Sequence, residues 1–429
     1  MAFGRTAALA EELERDLPQR PFGVRFWDGT TVAATTQPAP TFEIRSPLAL
    51  AHVLRAPGEL GLGRAYVTGL IDTDDLDAAL SVVDTFEAPE IGLRARLRLA
   101  LALMRATGVV WPPRAPATEL RLRGERHTRA RDRAAVAHHY DAGNEFFALF
   151  LDPSMTYSCA RFADADAGAD AGADADAGAG ASARTLEAAQ AAKLEQVCAK
   201  LGLRPGSRVL EVGCGWGSFA IHAATVHRAD VVAITLSARQ AEMARRRVAD
   251  AGVGDRIDIR LLDYRDLGEE RFDAIATIEM IEAVGEERID TFAACMARAL
   301  SPGGRLVCQG IAKLKDLDTP DEGPFSERFV FPDGVPLPIS RFQVALERAG
   351  FATRHLEAFP EDYVETLTRW IALLDERQVE AVRIVGAERE RIWRLYLRSA
   401  RQAFETGWAT VYQLTAGLPG PVGQQAQSL

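Results

Sequence analysis

Apolar and polar positions change their rhythm along the chain. Beyond residue 187 short apolar runs alternate with stretches of helical period. Glu187 to Lys200 carries apolar residues at helical spacing, and Val209-Leu-Glu-Val212 is a strand-length run. Ser218–Ala224 and Gln240–Ala251 read as helices. Val231–Thr235, Ile257–Leu262, Phe272–Ile278 and Arg305–Ile311 read as further strands. This alternation predicts the α/β class, with a Rossmann-like open sheet of mainly parallel strands. The first hundred residues pattern differently and predict a smaller N-terminal α+β domain. Phe22 to Val32 reads as two short strands around an Asp28-Gly29 turn, and helices are predicted at Leu48–Leu54 and Leu76–Phe86. Gly61 to Ile71 reads as a glycine-punctuated packing segment, and Arg94 to Thr107 as a helix.

A chain of 429 residues is long for one core. Four stretches are expected. Residues 1–115 form a lipid- or membrane-associating domain, ending near Trp111-Pro112-Pro113. Residues 116–162 link it to the next domain and cover the site, and 163–183 form an insertion. Residues 184–429 form the large domain with its C-terminal helices. The insertion is an Ala/Asp/Gly run with five aspartates, a composition that supplies no packed core and is expected to be disordered. The start of the chain lacks the apolar core of a signal peptide, and no run is apolar enough to span a bilayer. Cys159, Cys198, Cys214, Cys295 and Cys308 are scattered without metal-ligand spacing, so reduced cytoplasmic thiols and no metal are expected. A net charge of −10 argues against a nucleic-acid partner. Arg94 to Arg133 nevertheless holds eleven arginines, read either as a contact for anionic headgroups or as a solvated linker.

The chemistry gathers at Val209 to Gly217. Gly213, Gly215 and Gly217 follow the strand end, where glycine lets a ligand approach the backbone. Dinucleotide binders share such spacing. Glu211 within the strand end favours instead a ligand with a cationic amine and no pyrophosphate, such as S-adenosylmethionine (SAM). Ligands of open sheets sit at the carboxyl ends of strands, so Glu211, Thr235, Tyr264, Glu282 and Gln309 are expected to cluster. His138 and His139 are read as structural. Cys214 is read as a small residue in the turn.

His139-Tyr-Asp-Ala-Gly-Asn-Glu-Phe-Phe147, Phe150 to Cys159, Asp263-Tyr-Arg-Asp266 and Phe331-Pro-Asp-Gly334 together resemble the cyclopropane-fatty-acyl-phospholipid synthases, relatives of the mycolic acid cyclopropane synthases. The resemblance covers nearly the whole chain. It implies SAM contacts at Tyr157, Ser158, Glu211, Gly213, Cys214, Gly215, Trp216, Gly217, Thr235, Leu236, Ser237, Gln240, Tyr264 and Arg265. It also implies a bicarbonate ion as general base, held at Cys159, Glu282, Gln309, Ile311 and Tyr363. Two positions depart from the family pattern: its Glu-His pair is Glu282-Ala283 here, and a histidine that contacts the anion is Gln309. Glu282 could itself be the base, orient bicarbonate or cap the turn. The resemblance further suggests a homodimer.

Methyl transfer to an alkene leaves a carbocation. The site must exclude water, stabilise the cation and take one proton. Tyr157, Phe162, Tyr264, Tyr363 and Trp370 are aromatic candidates for the second task. The expected substrate is an unsaturated, oleoyl-type phospholipid of the membrane, reached from the cytoplasmic side by reversible surface binding. The Glu282 to Gly285 segment and Gln309 are similar to the actinobacterial branch that makes 10-methylene chains. That product is therefore expected, with a separate reductase to complete a 10-methyl branch. The alternatives are an ordinary cyclopropane and a lipid-binding protein without turnover.

Overall fold

The computed structural model describes residues 6–86, 92–107, 114–122, 124–162, 185–314, 324–334 and 336–420. The expected insertion at Ala163–Ala183 and the Trp111-Pro112-Pro113 break lie outside them. The chain divides into two compact units.

The first unit comprises Met1–Arg121 with Glu322–Val330 and Val385–Ser399, so it draws in two pieces expected in the large domain. Its sheet runs β2-β1-β3-β4, from β1 (Gly23–Arg25), β2 (Thr31–Val32), β3 (Thr41–Ile44) and β4 (Ile71–Thr73). The Asp28-Gly29 turn is as predicted: Thr30 N–H donates to Asp28 Oδ1 at 3.0 Å, and Gly29 has φ +89°. The helices are α1 (Ala7–Asp16), α2 (Pro47–Arg55), α3 (Glu59–Val67), α4 (Leu76–Thr85) and α5 (Leu93–Thr107). The glycine-punctuated segment is largely helix α3. A Cβ at Gly61 would lie 2.2 Å from the Ala56 carbonyl oxygen, so glycine here lets α3 sit on the end of α2. Arg64 forms a buried two-point pair with Glu119 at 2.7 and 2.8 Å.

The second unit is built on a seven-stranded sheet in the order β10-β11-β9-β8-β5-β6-β7. Its strands are β5 (Arg208–Val212), β6 (Asp230–Thr235), β7 (Ile257–Leu261), β8 (Phe272–Ile278), β9 (Leu300–Lys313), β10 (Ala352–Ala358) and β11 (Ala409–Gly417). β5 to β9 pair in parallel, and β11 runs antiparallel to both β9 and β10. Strand β5 is buried on both faces, as a central parallel strand requires. The helices used below are α6 (Arg129–Tyr140), α7 (Leu186–Leu201), α8 (Ser218–His227), α9 (Ala238–Asp250), α10 (Ile289–Ala299), α11 (Ile339–Arg348) and α12 (Pro360–Glu376). Thr185 caps α7 by accepting from Ala188 N–H, and Gly202 ends it in the left-handed region. Strand order reverses beside β5, where β6 continues one way and β8 the other. The carboxyl ends of those strands open onto the site.

Candidate active site

A pocket of the second unit lies at these strand ends. Tyr157, Ser158, Glu211, Gly213, Cys214, Gly215, Trp216, Thr235, Leu236, Gln240, Tyr264 and Arg265 line it. Gly217 and Ser237 stand just behind. Gly217 starts α8 at φ +83°, and the Ser237 hydroxyl caps α9 by accepting from Gln240 N–H. A Cβ on Gly213 would come within 2.7 Å of Met280 Cγ, so the turn fits only glycine. Glu211 is 4 % exposed, and burial pushes its carboxyl up to about 8. Its Oε2 has no hydrogen-bond partner among the described residues, and neither does Gln240 Nε2. A buried carboxylate oxygen and a buried amide donor left unmet suit a ligand with a cationic amine and polar groups. The residues therefore fit SAM. Arg265 plays another part: its guanidinium is bonded to Asp263 at 2.8 Å and Asp132 at 2.8 Å, which makes it a brace of the wall. Tyr264 packs edge-on against Phe292 of α10.

Three of the five residues expected to hold bicarbonate, Cys159, Gln309 and Tyr363, converge, but on a carboxylate of the chain itself. Glu279 Oε1 accepts from Cys159 N–H at 2.8 Å and from the Gln309 amide at 2.9 Å. Its Oε2 accepts from the Tyr363 hydroxyl at 2.7 Å. Glu279 also lines the pocket. Bicarbonate does not fit here: its donors are already taken, and a second anion would meet Glu279 at close range. Glu282, read as a base, as a residue that orients bicarbonate or as a turn cap, points to β9. Its carboxylate accepts from the Ile311 N–H on β9 and is not among the pocket residues. Burial, reinforced by the Glu279 charge, pushes Glu282 up to about 8. The two glutamates differ because the chain leaves β8 with Glu279 at φ +50°. That left-handed turn swings the first carboxylate toward Cys159, and a 3₁₀ turn over Ile281–Ala283 carries the second to β9.

Of the aromatic candidates, Tyr157 and Tyr264 line the pocket. Tyr157 stacks on Trp370 with centroids 5.2 Å apart. Phe162 is buried, is not among the lining residues and carries the Arg369 guanidinium 4.5 Å over its ring. Besides Glu279, the sequence reading missed Lys193. This buried lysine of α7 lines the pocket, donates to Ser158 Oγ at 2.6 Å and is pushed down to about 8 by burial. Its place on an amphipathic helix hid it among surface lysines. His139, read as structural, packs edge-on between Tyr140 and Phe331 and is buried.

The family model described as mycolic acid cyclopropane synthetase matches residues 127–414. The chain belongs to this family. A probable fatty acid methyltransferase of Mycobacterium tuberculosis is 32% identical over 100% of this chain and 99% of its own. The tuberculostearic acid methyltransferase UfaA1 of the same organism is 32% identical over 97% of this chain and 92% of its own. Among solved structures, mycolic acid cyclopropane synthase CmaA1 complexed with SAH (S-adenosylhomocysteine) and CTAB is similar, with TM-score 0.59 and 30% identity over 66% of this chain and 97% of that one. This member of the family is a SAM-dependent methyltransferase.

The raised Glu211 value sets a pH dependence. In the ligand-free protein a carboxyl held near 8 contributes stability below the ordinary 4.5, and that contribution is lost as pH rises through about 8. A cationic amine favours the ionised form, so SAH should bind more tightly as pH rises from roughly 6 to about 8. Calorimetric titration of the wild type should show this slope, and Glu211→Gln should bind more weakly without it. A slope that survives in Glu211→Gln would assign it to another group.

Proposed function

We propose that this enzyme transfers a methyl group from SAM to the double bond of an unsaturated phospholipid acyl chain and forms a 10-methylene chain. The observation that carries the proposal is one pocket in which two of the lining carboxylates, Glu211 and Glu279, have different surroundings and separate tasks. Glu211, unmet by the protein, suits the amine of the methyl donor. Glu279, fixed by three donors, suits the proton that must leave. SAM supplies an electrophilic methyl group when bound. The alkene pair forms the new C–C bond as the C–S bond breaks, leaving SAH and a carbocation. A hydride shift moves the charge to the methyl-bearing carbon. Glu279 then takes a proton from the new methyl, and the C–H pair becomes the exocyclic double bond. Tyr363 and Gln309 hold the carboxylate in place throughout. A separate reductase would then saturate the product.

A cyclopropane is the second reading, and the likeness to CmaA1 favours it. The likeness to the tuberculostearic acid methyltransferase UfaA1 favours the first. The two differ in which proton the base reaches and when. Gas chromatography–mass spectrometry of lipids from a host expressing this protein alone should show a 10-methylene acyl chain. A cyclopropane as sole product would leave the methyl transfer standing and overturn the product.

Assigning the proton to Glu279 has a direct consequence. Glu279→Gln should lower turnover by about 10²–10⁴-fold, the usual scale of general base catalysis, while SAH affinity stays within about threefold. The wild type should keep its rate in buffer stripped of carbon dioxide. A rate that returns only with added bicarbonate would refute the assignment.

The substrate lies in a bilayer, and no described helix is long and apolar enough to cross one. Docking at the surface is assigned to α5. Leu97, Leu101 and Met104 stand exposed on it at helical spacing, beside exposed Arg94 and Arg105. The wider arginine cluster is a weaker candidate, because Arg98, Arg121, Arg129 and Arg131 pair with acidic residues. Two buried leucine-sized side chains contribute about 3–6 kcal/mol. Leu101→Asp with Met104→Asp should therefore cut sedimentation with anionic phospholipid vesicles at least tenfold, with SAH binding unchanged. Unaltered sedimentation would move the docking surface elsewhere.

A further inference from the structure

Away from the pocket, α7 and α8 bring together a second group of reactive side chains. Cys198, His222 and His227 place their ligand atoms within 4.8 Å of one another. Glu195 Oε2 lies 3.0 Å from His222 Nε2 and 2.9 Å from His227 Nε2. Cys198 is fully buried, whereas the imidazoles and Glu195 keep 18, 19 and 49 % of their side chains exposed. The cluster is thus half sunk into the protein and open to solvent on one side.

We propose that Cys198, His222, His227 and Glu195 form a binding site for one divalent metal ion of the zinc class. Thiolate, imidazole and carboxylate are the ligands that zinc takes, four at a time and in tetrahedral geometry. One thiolate and one carboxylate neutralise the ion, so the loaded site carries no net charge. Binding releases the Cys198 proton to solvent, and both histidines bind as neutral rings. The spacing hid this site in the sequence. Each helix contributes only two ligands, three positions apart on α7 and five apart on α8, and their meeting is a result of helix packing. A hydrogen-bonded clamp accounts for Glu195 with the two histidines but gives Cys198 no part. Glu195 and Cys198 also lie on roughly the opposite side of α7 from Lys193, by the 100° step of a helix. The ion would therefore fasten the back of the helix whose front supports the Ser158 wall of the pocket.

Cobalt(II) tests the site through its colour. The chelator-stripped full chain should take up one equivalent of Co(II), with tetrahedral visible bands and a near-ultraviolet thiolate-to-metal absorption. Zinc should displace both. Cys198→Ser should lose the near-ultraviolet band, and His222→Gln and His227→Gln should each weaken Co(II) binding at least tenfold. SAH binding reports that each variant is folded. If Cys198→Ser loses SAH binding, the partly exposed His222→Gln and His227→Gln decide the matter. Absence of the thiolate band in the wild type, its persistence in folded Cys198→Ser, or unchanged binding in both histidine variants overturns the proposal.

Discussion

A carboxylate drawn largely out of water must be met by donors, and the partly buried Glu279 sets that demand in the second unit. Its partners come from three distant segments: Cys159 from the loop ahead of α7, Gln309 from β9 and Tyr363 from α12. The demand then passes outward. The Gln309 side-chain Oε1 accepts from the Gln413 side-chain amide on β11 at 3.0 Å, and Gln413 Oε1 accepts from Lys200 at the end of α7. One carboxylate thus ties together a loop, two strands and two helices. The antiparallel strand β11, buried along all nine residues, is part of the site although none of its side chains lines the pocket.

Charge balance in the pocket rests on Lys193. Burial raises Glu211 and Glu279, and the Lys193 ammonium opposes both shifts. The same burial lowers Lys193 itself, with Glu279 the foremost charge pulling it back up. Removing the lysine would leave both carboxyls to the burial that raises them, with one opposing cation fewer. A methyl donor with a positive sulfonium adds to the cationic side of this balance, so the empty and loaded pockets hold different numbers of protons.

The parallel part of the fold was legible because buried strands announce themselves as short apolar runs between helical stretches. β5 through β9 appear where the runs place them, and the glycine turn stands at the carboxyl end of β5. The edge of the sheet was not legible. β10 reads Ala-Thr-Arg-His-Leu-Glu-Ala and is mostly exposed, so it carries no strand-like run of apolar residues. β11 is fully buried, but its Thr and Gln residues break the apolar pattern. The methyl-donor side of the site was legible for the same reason as the strands, since motif and turn are contiguous. The Glu279 side was not. Two acidic residues three positions apart look interchangeable in sequence, and only the left-handed φ of the first separates their directions. That conformation costs a non-glycine residue about 1–2 kcal/mol, which the three hydrogen bonds to its carboxylate offset.

The two flanks of residues 163–184 are tied to each other and to the unit before the intervening chain begins. Arg161 N–H donates to the Ala189 carbonyl on α7 at 3.1 Å, Phe162 N–H donates to Asp362 at 3.1 Å, and Thr185 caps α7. The anchor points are therefore independent of how many residues run between them. Closing a longer loop adds only about 0.6 kcal/mol per doubling of its length. Phe162 and Thr185 therefore mark natural graft points: a reporter domain or an affinity tag joined between them would meet flanks already fixed by their own contacts.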